Sequence, residues 1–431
     1  MQENATNLSD YRESSVLLLS PTPGSNRRAN PLVDVVRNLN EDSYRLLALS
    51  VYHCMNDASL ALFTSALPVM RISLGLSFLQ IGTVLSAGLA ATMLLQLLVG
   101  SLSDIGHARM LLFVGFGAIV VADLLFPASS TFLQVLMFYV LLRSAAAVYH
   151  PVSYSSIGRT YIENKTAAFG YQGAVGDLGL ALATLSTGAM SQAWGWEIPF
   201  WAWGTIGMAL LAYFAVTVIK HKVIFYSRLV SSGTEPANLS KSKSVKSTFA
   251  LIAIASSLTT ATFILFTGYM PLYFNVARAL TPAESTAIVA AWIGIGVVAQ
   301  LVTGRISDRL GGEVRTLQLM YVMEAALLAV ALYGFSGGLE VSSTQLVGYL
   351  TIILTGIPVF ITFPVVNSLL GLRMPHRRLG LTYGMNLSLG LLAASLATYA
   401  TGYLASTMSI SVVLPALLVV AIVAVVTSLM L

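Results

Sequence analysis

Two carboxylates, one guanidinium and two imidazoles stand inside stretches of this 431-residue chain that are otherwise apolar: Asp57, Asp177, Arg143, His53 and His150. An ionisable side chain at bilayer depth is costly unless paired or hydrated, so each needs a reason. His53 and Asn56 precede Asp57 by four residues and by one, which stacks the imidazole one helical turn from the carboxylate. His150 follows Arg143 by seven residues, two turns along one face. Imidazole titrates near working pH, with a reference pKa of about 6.5, and a buried carboxylate changes partners when it takes a proton. Asp57, Arg143, Asp177, His53, Asn56 and His150 are therefore the candidates for coupling a proton to the movement of another molecule. The alternatives are an ion pair between Arg143 and either acid that serves packing alone, and neutral histidines bonded to backbone or water. Gln172, Tyr154, Asn367 and Asn386 are candidates to line a substrate path, or to hold helices together.

The elements that must position these groups are membrane helices. The chain is 56% hydrophobic and 10% charged, against roughly 25% charged in a soluble domain. About twelve apolar stretches recur, each of ~20 residues and long enough to cross the hydrocarbon core as a helix. Backbone groups in lipid must bond within their own helix, so an all-α bundle is expected. Counting from the helix ends, Asp57 and Arg143 each lie ~12 residues deep, about 18 Å. Asp177 lies at a similar depth from Lys165, which places two acids and one arginine near the midplane of one half.

Charge sets the orientation. Of 23 Lys and Arg, only Arg71 and Arg278 fall on the outward loops once the N-terminus is put inside, and Arg143 lies within a helix. By the positive-inside rule both termini are cytoplasmic. The net charge of +5 then reflects topology, not nucleic-acid binding. Trp194, Trp196, Trp201 and Trp203 cluster at an outer interface. Cys54 is the sole cysteine, so no intrachain disulfide is available. Residues 1–43 read as a disordered cytoplasmic arm with no cleavable signal, 44–219 as a six-helix half, 220–247 as a cytoplasmic linker, and 248–431 as a second six-helix half.

The halves repeat one another. Gly100-Ser-Leu-Ser-Asp104-Ile-Gly-His-Ala-Arg109 recurs as Gly304-Arg-Ile-Ser-Asp308-Arg-Leu-Gly-Gly-Glu-Val-Arg315. Upstream, Leu62-Phe-Thr-Ser-Ala-Leu-Pro68 recurs as Leu265-Phe-Thr-Gly-Tyr-Met-Pro271. Downstream, His150-Pro151 answers Phe363-Pro364, and Gly170, Gly173, Gly176 and Gly179 put small residues at three-residue steps, which permits close helix approach. Two parallel copies of one hydrophobic pattern imply pseudo-symmetric halves with a site between them.

The doubled Gly-x-[Leu/Ile]-Ser-Asp-x-x-Gly loop resembles motif A of the major facilitator superfamily, with Ile105 where that family usually carries Arg. His53-x-x-Asn56-Asp57, Leu67-Pro68 and His150-Pro151 resemble its fosmidomycin-resistance branch. The resemblance implies alternating access by a monomer in the cell membrane, proton coupling through a helix-4 arginine at Arg143, and efflux by proton antiport. It also makes Asp123 and Glu324 members of outer, supporting helices. Gly100, Asp104, Arg109, Gly304, Asp308 and Arg309 form candidate latches, in which each Asp caps a neighbouring helix and pairs with a basic residue.

No Gly-rich phosphate loop, zinc-ligand cluster or Gly-x-Ser-x-Gly elbow occurs, so no cofactor, metal or enzymatic activity is expected. The expected partners are a small-molecule substrate, protons and the lipid bilayer. The competing expectation is uptake of a small organic anion or sugar-like metabolite, with Arg143 on the substrate carboxylate; a non-transporting sensor lacks the extra soluble domain it would need.

Overall fold

The computed structural model describes residues 41–161, 165–225, 243–336, 343–374 and 379–431, and among these there is no strand. The expected arm at 1–43 lies outside them except for 41–43, which already belong to the first helix. The expected linker at 220–247 lies outside them from 226 to 242.

Among the described residues, fifteen α-helices make twelve crossings. In the N-terminal half they are α1 (Glu41–Ser73), α2 (Phe78–Leu102), α3 (Ala108–Leu125), α4 (Phe132–Ala146) with α5 (Tyr149–Thr160), α6 (Lys165–Trp194) and α7 (Ile198–Lys220). In the C-terminal half they are α8 (Lys243–Ala277), α9 (Pro282–Leu301), the short α10 (Thr303–Leu310), α11 (Glu313–Gly334), α12 (Ser343–Leu354) with α13 (Gly356–Arg373), α14 (Leu379–Thr407) and α15 (Val413–Ser428). Among the described residues, ten stretches are apolar and long enough to span a membrane. One of them, Phe78–Ala128, holds both α2 and α3; α6, enriched in glycine and threonine and carrying Asp177, completes the twelve.

Local sequence explains the boundaries. Ser77 and Thr281 start the second helix of each half with the same device, a capping box in which the hydroxyl accepts from the N3 amide and Gln80 or Glu284 reaches back. The fourth crossing of each half is broken for one reason. Pro151 is the third residue of α5 and Pro358 the third of α13. A proline ring clashes with the carbonyl four residues earlier, here Ala147 and Leu354, where the regular helix stops. The chain reverses between α2 and α3 through a π-turn at Ser103–His107, with Gly106 at φ 102°.

The halves meet along two helix pairs, α2 with α14 and α6 with α9. Small residues set the spacing: a Cβ on Gly82 would lie 3.0 Å from the Gly402 Cα, and one on Gly100 would lie 2.6 Å from the Gly380 carbonyl oxygen. Ser86 and Ser395 hydroxyls bond across this seam at 2.9 Å, and Ser388 donates to the Met93 carbonyl at 2.8 Å. Behind the seam, the outer crossings are pinned in pseudo-symmetric fashion. Ser59 donates to Asp123 at 2.5 Å, and Thr262 bonds Glu324 in the other half; both acids are buried. Asp123 and Glu324 thus sit on supporting helices, away from the central cavity.

Candidate functional site

A cavity of about 160 Å³ lies between the halves. Its N-terminal wall carries His53, Asp57, Gln96, Arg143, His150, Tyr154, Gln172 and Asp177; its C-terminal wall carries Ser256, Thr259, Thr260, Thr267, Gln300 and Asn367. All the ionisable groups come from the N-terminal half. Five of the six candidate coupling residues line the cavity. The sixth, Asn56, stands behind it and donates to Asp57 Oδ1 at 2.8 Å.

His53 Nε2 lies 3.0 Å from Asp57 Oδ2, and His150 Nε2 lies 3.9 Å from Oδ1. The two imidazoles sit edge to face, 5.2 Å between centroids. The backbone makes this possible at Gly176, where a Cβ would fall 2.2 Å from His53 Nδ1. The helix-6 glycines divide between two neighbours: Gly176 and Gly179 admit α1, while Gly170 and Gly173 abut Gln300 of α9.

Gln172 organises His53. Its backbone oxygen lies 2.8 Å from Nδ1 and its side-chain Nε2 lies 2.9 Å from the same nitrogen. Nε2 also donates to the Tyr149 hydroxyl at 2.6 Å, and that hydroxyl donates to the Leu49 carbonyl at 2.8 Å. One residue therefore offers Nδ1 both an acceptor and a donor. With a proton on Nδ1 the ring donates to the carbonyl; without it the ring accepts from the amide. Either state is satisfied with the heavy atoms in place.

Arg143 is buried at 4% exposure and faces the cavity. Among the described residues no carboxylate lies within 4.0 Å of its guanidinium, and its Nε has no hydrogen-bond partner. The packing ion pair that the sequence allows with Asp57 or Asp177 is thus absent. The arginine stem lies against Gly88 of α2, where a Cβ would meet the Arg143 Cγ at 2.7 Å and the Tyr139 ring at 2.5 Å. Thr92, one turn on, donates to the Arg143 carbonyl at 2.8 Å.

Asp177 accepts from Gln300 Nε2 at 2.5 Å across the α6–α9 contact. Gln300 is a site residue that the sequence reading did not single out; glutamine in an apolar helix is the only signal it offers. Asn367 lines the cavity, and its carbonyl accepts from Tyr383 at 2.9 Å. Asn386 is buried outside the cavity lining and donates to the Ser256 hydroxyl at 2.9 Å. Tyr154 packs edge-on against Phe169 and Tyr383, an aromatic cluster drawn from both halves at the end bearing the doubled loops.

At that end the two latch candidates differ. Asp104 accepts from the Gly380 and Leu381 amides at 3.1 and 2.9 Å, at the start of α14, and pairs with Arg159. Arg109, the basic residue of its own loop, is exposed and takes no part in that pairing. Asp308 and Arg309 are exposed, and the Asp308 carboxylate makes no hydrogen bond or ion pair among the described residues. Gly100 abuts Gly380, whereas a Cβ on Gly304 would meet nothing within 4 Å. Thr166 and Ser368 hydroxyls join α6 to α13 nearby at 2.7 Å.

Comparison with known proteins agrees with this architecture. A family model described as Major Facilitator Superfamily matches residues 49–398. Among solved structures, a bacterial homologue of the human lysosomal transporter Spinster, inward-facing and occupied, superposes with a TM-score of 0.69 at 12% identity, covering 90% of this chain and 96% of that one. The same homologue, inward-facing and unoccupied, gives 0.66 at 13% identity with equal coverage. No sequence match to a curated protein is significant. At these identities the structural likeness speaks for the fold alone; the family match covers most of the chain. The protein belongs to the major facilitator superfamily and is a multi-pass membrane transporter, not an enzyme.

Proposed function

We propose that this protein is a proton-coupled secondary transporter that exports a drug or metabolite in exchange for protons, by alternating access of the central cavity. The observation that carries the coupling is the environment of His53. Gln172 satisfies Nδ1 in either protonation state, and Nε2 faces Asp57 at 3.0 Å. A proton can therefore enter and leave the His53–Asp57 pair while the surrounding hydrogen bonds persist. Asp177, bonded to Gln300 of the other half, is the second carboxylate on which protonation would act across the interface. The latch role of Asp104 is supported by its bonds to the start of α14.

Export as the direction rests on the resemblance of the His53, Asn56-Asp57 and His150-Pro151 motifs to the fosmidomycin-resistance branch. Cytoplasmic termini, a cell-membrane location and a monomeric state belong to the same proposal. The orientation is supported by the scarcity of Lys and Arg at the end that holds Arg71 and Arg278.

The test is growth of an efflux-deficient bacterial host expressing wild type or Asp57→Asn, at amounts matched by immunoblot, on a panel including phosphonate antibiotics and lipophilic cations. Resistance with wild type that is lost in the variant is the expected result. Resistance that survives both Asp57→Asn and Asp177→Asn, and does not respond to the pH gradient, would remove proton coupling from the proposal.

A further inference from the structure

The cavity is charged on one side only, and its one strong cation makes no contact ion pair among the described residues. Arg143 is buried and lines the cavity, its Nε has no hydrogen-bond partner, and among the described residues no carboxylate lies within 4.0 Å of its guanidinium; Asp57, on the same wall, attracts it only from farther off. Buried charges are ordinarily paired, because an unpartnered one has lost its hydration without compensation. The stem is held in place by Gly88 and Tyr139, so the head is presented to the cavity by packing.

The opposite wall bears hydroxyls, and two of them turn lone pairs to the cavity. Thr260 donates to the Ser256 carbonyl at 2.9 Å and Thr267 to the Phe263 carbonyl at 2.8 Å. The Ser256 hydroxyl receives the Asn386 amide at 2.9 Å. A threonine hydroxyl whose proton is committed to its own helix shows the cavity lone pairs only. Such a wall is matched by O–H or N–H groups on a bound molecule.

We propose that the substrate is a small hydroxylated organic anion. Its acidic group sits on Arg143 in the N-terminal half, and its hydroxyl groups face the Ser256–Thr260–Thr267 wall of the C-terminal half. A guanidinium suits this task because its planar fork takes a carboxylate or phosphonate through two parallel hydrogen bonds. A lipophilic cation would meet an uncompensated positive charge there instead. This assignment names the substrate class for the transport reading above and rests on that reading.

The experiment measures binding without any gradient, so that it is separate from coupling. Full-length protein in lipid nanodiscs, at one fixed pH, is heated with glycerate or gluconate, with the matched neutral polyols glycerol and sorbitol, and with tetraphenylphosphonium. The acids raise the unfolding temperature and the other three do not. Arg143→Gln weakens acid binding on the order of 30-fold or more, and Arg143→Lys, which keeps the charge but loses the fork, falls between. If Arg143→Gln does not fold, Arg143→Lys and the matched ligand pairs still decide. Acids that fail to bind wild type, polyols or tetraphenylphosphonium that bind as well as the acids, or acids that bind Arg143→Gln or Arg143→Lys as tightly as wild type would each overturn the assignment. Acid binding that persists while transport ignores the pH gradient would defeat proton coupling and leave the substrate class standing.

Discussion

Asp177 in α6 and Gln300 in α9 share a 2.5 Å hydrogen bond, and each belongs to a different half of the molecule. The bond is a direct side-chain tie across the cavity wall, and one of its members is a candidate proton carrier. Gln300→Ala leaves Asp177 buried without its donor, which costs about 1–3 kcal/mol. Asp177→Asn keeps an acceptor oxygen for Gln300 and removes only the charge. Thermal unfolding in nanodiscs should therefore fall for Gln300→Ala and hold for Asp177→Asn, while pH-gradient-driven transport falls for both. Equal loss of stability in the two variants would count against this separation.

Asp104 and Asp308 occupy equivalent loops, yet among the described residues only the first caps a helix across the interface. Asp104→Ala removes a cap worth about 1 kcal/mol together with the Arg159 pair, and should shift the population toward states open at that end. Spin labels on the exposed positions Ile105 and Leu372 would report a longer mean distance in this variant. Asp308→Ala, measured the same way, should leave the distribution near that of wild type.

Much of this was legible in the sequence. The doubled loop, the doubled proline motif and the skewed Lys and Arg distribution imply a two-half membrane bundle, and the family match and the fold bear that out. Asp57, Arg143, Asp177, His53 and His150 stand out because an ionisable group in an apolar helix is conspicuous, and all five line one cavity. What hydropathy cannot supply is the rotation and register of one helix against the next. That is why Gln300 goes unnoticed, why Arg159 rather than Arg109 meets Asp104, and why Asn386 turns to Ser256 instead of the cavity. It is also why Arg143 appears in sequence as a partner for Asp57 or Asp177 and in space pairs with neither.

Gln172 holds His53 through its amide as well as its backbone. Gln172→Leu retains the carbonyl and removes the donor, so the deprotonated ring loses its partner at Nδ1. Release of the proton should become the harder step, with a loss of about 1–3 kcal/mol for the neutral state. The pH at which half-maximal transport is reached should then move upward in the variant. An unchanged profile would show that His53 stays in one protonation state throughout the cycle.

Gly88 gives Arg143 its berth. Gly88→Ala would put a methyl group 2.5 Å from Tyr139 and 2.7 Å from the arginine stem, and overpacking of this kind costs about 1–3 kcal/mol. Gly117→Ala is the control, since its Cβ would meet nothing within 4 Å. Unfolding temperature should fall for the first and not the second, and gluconate binding should weaken in the first alone.

The confinement of every cavity charge to one half has a consequence for how such a protein could diversify. The candidates for proton exchange sit on α1, α5 and α6, while the hydroxyl wall sits on α8. On the proposed reading, mutations that reshape α8 would change which hydroxylated acid fits, while Arg143 and the proton-exchange candidates stay as they are. An inherited engine with a replaceable cargo bay would let descendants of this chain drift among related metabolites through single substitutions, each viable because the driving reaction is left intact.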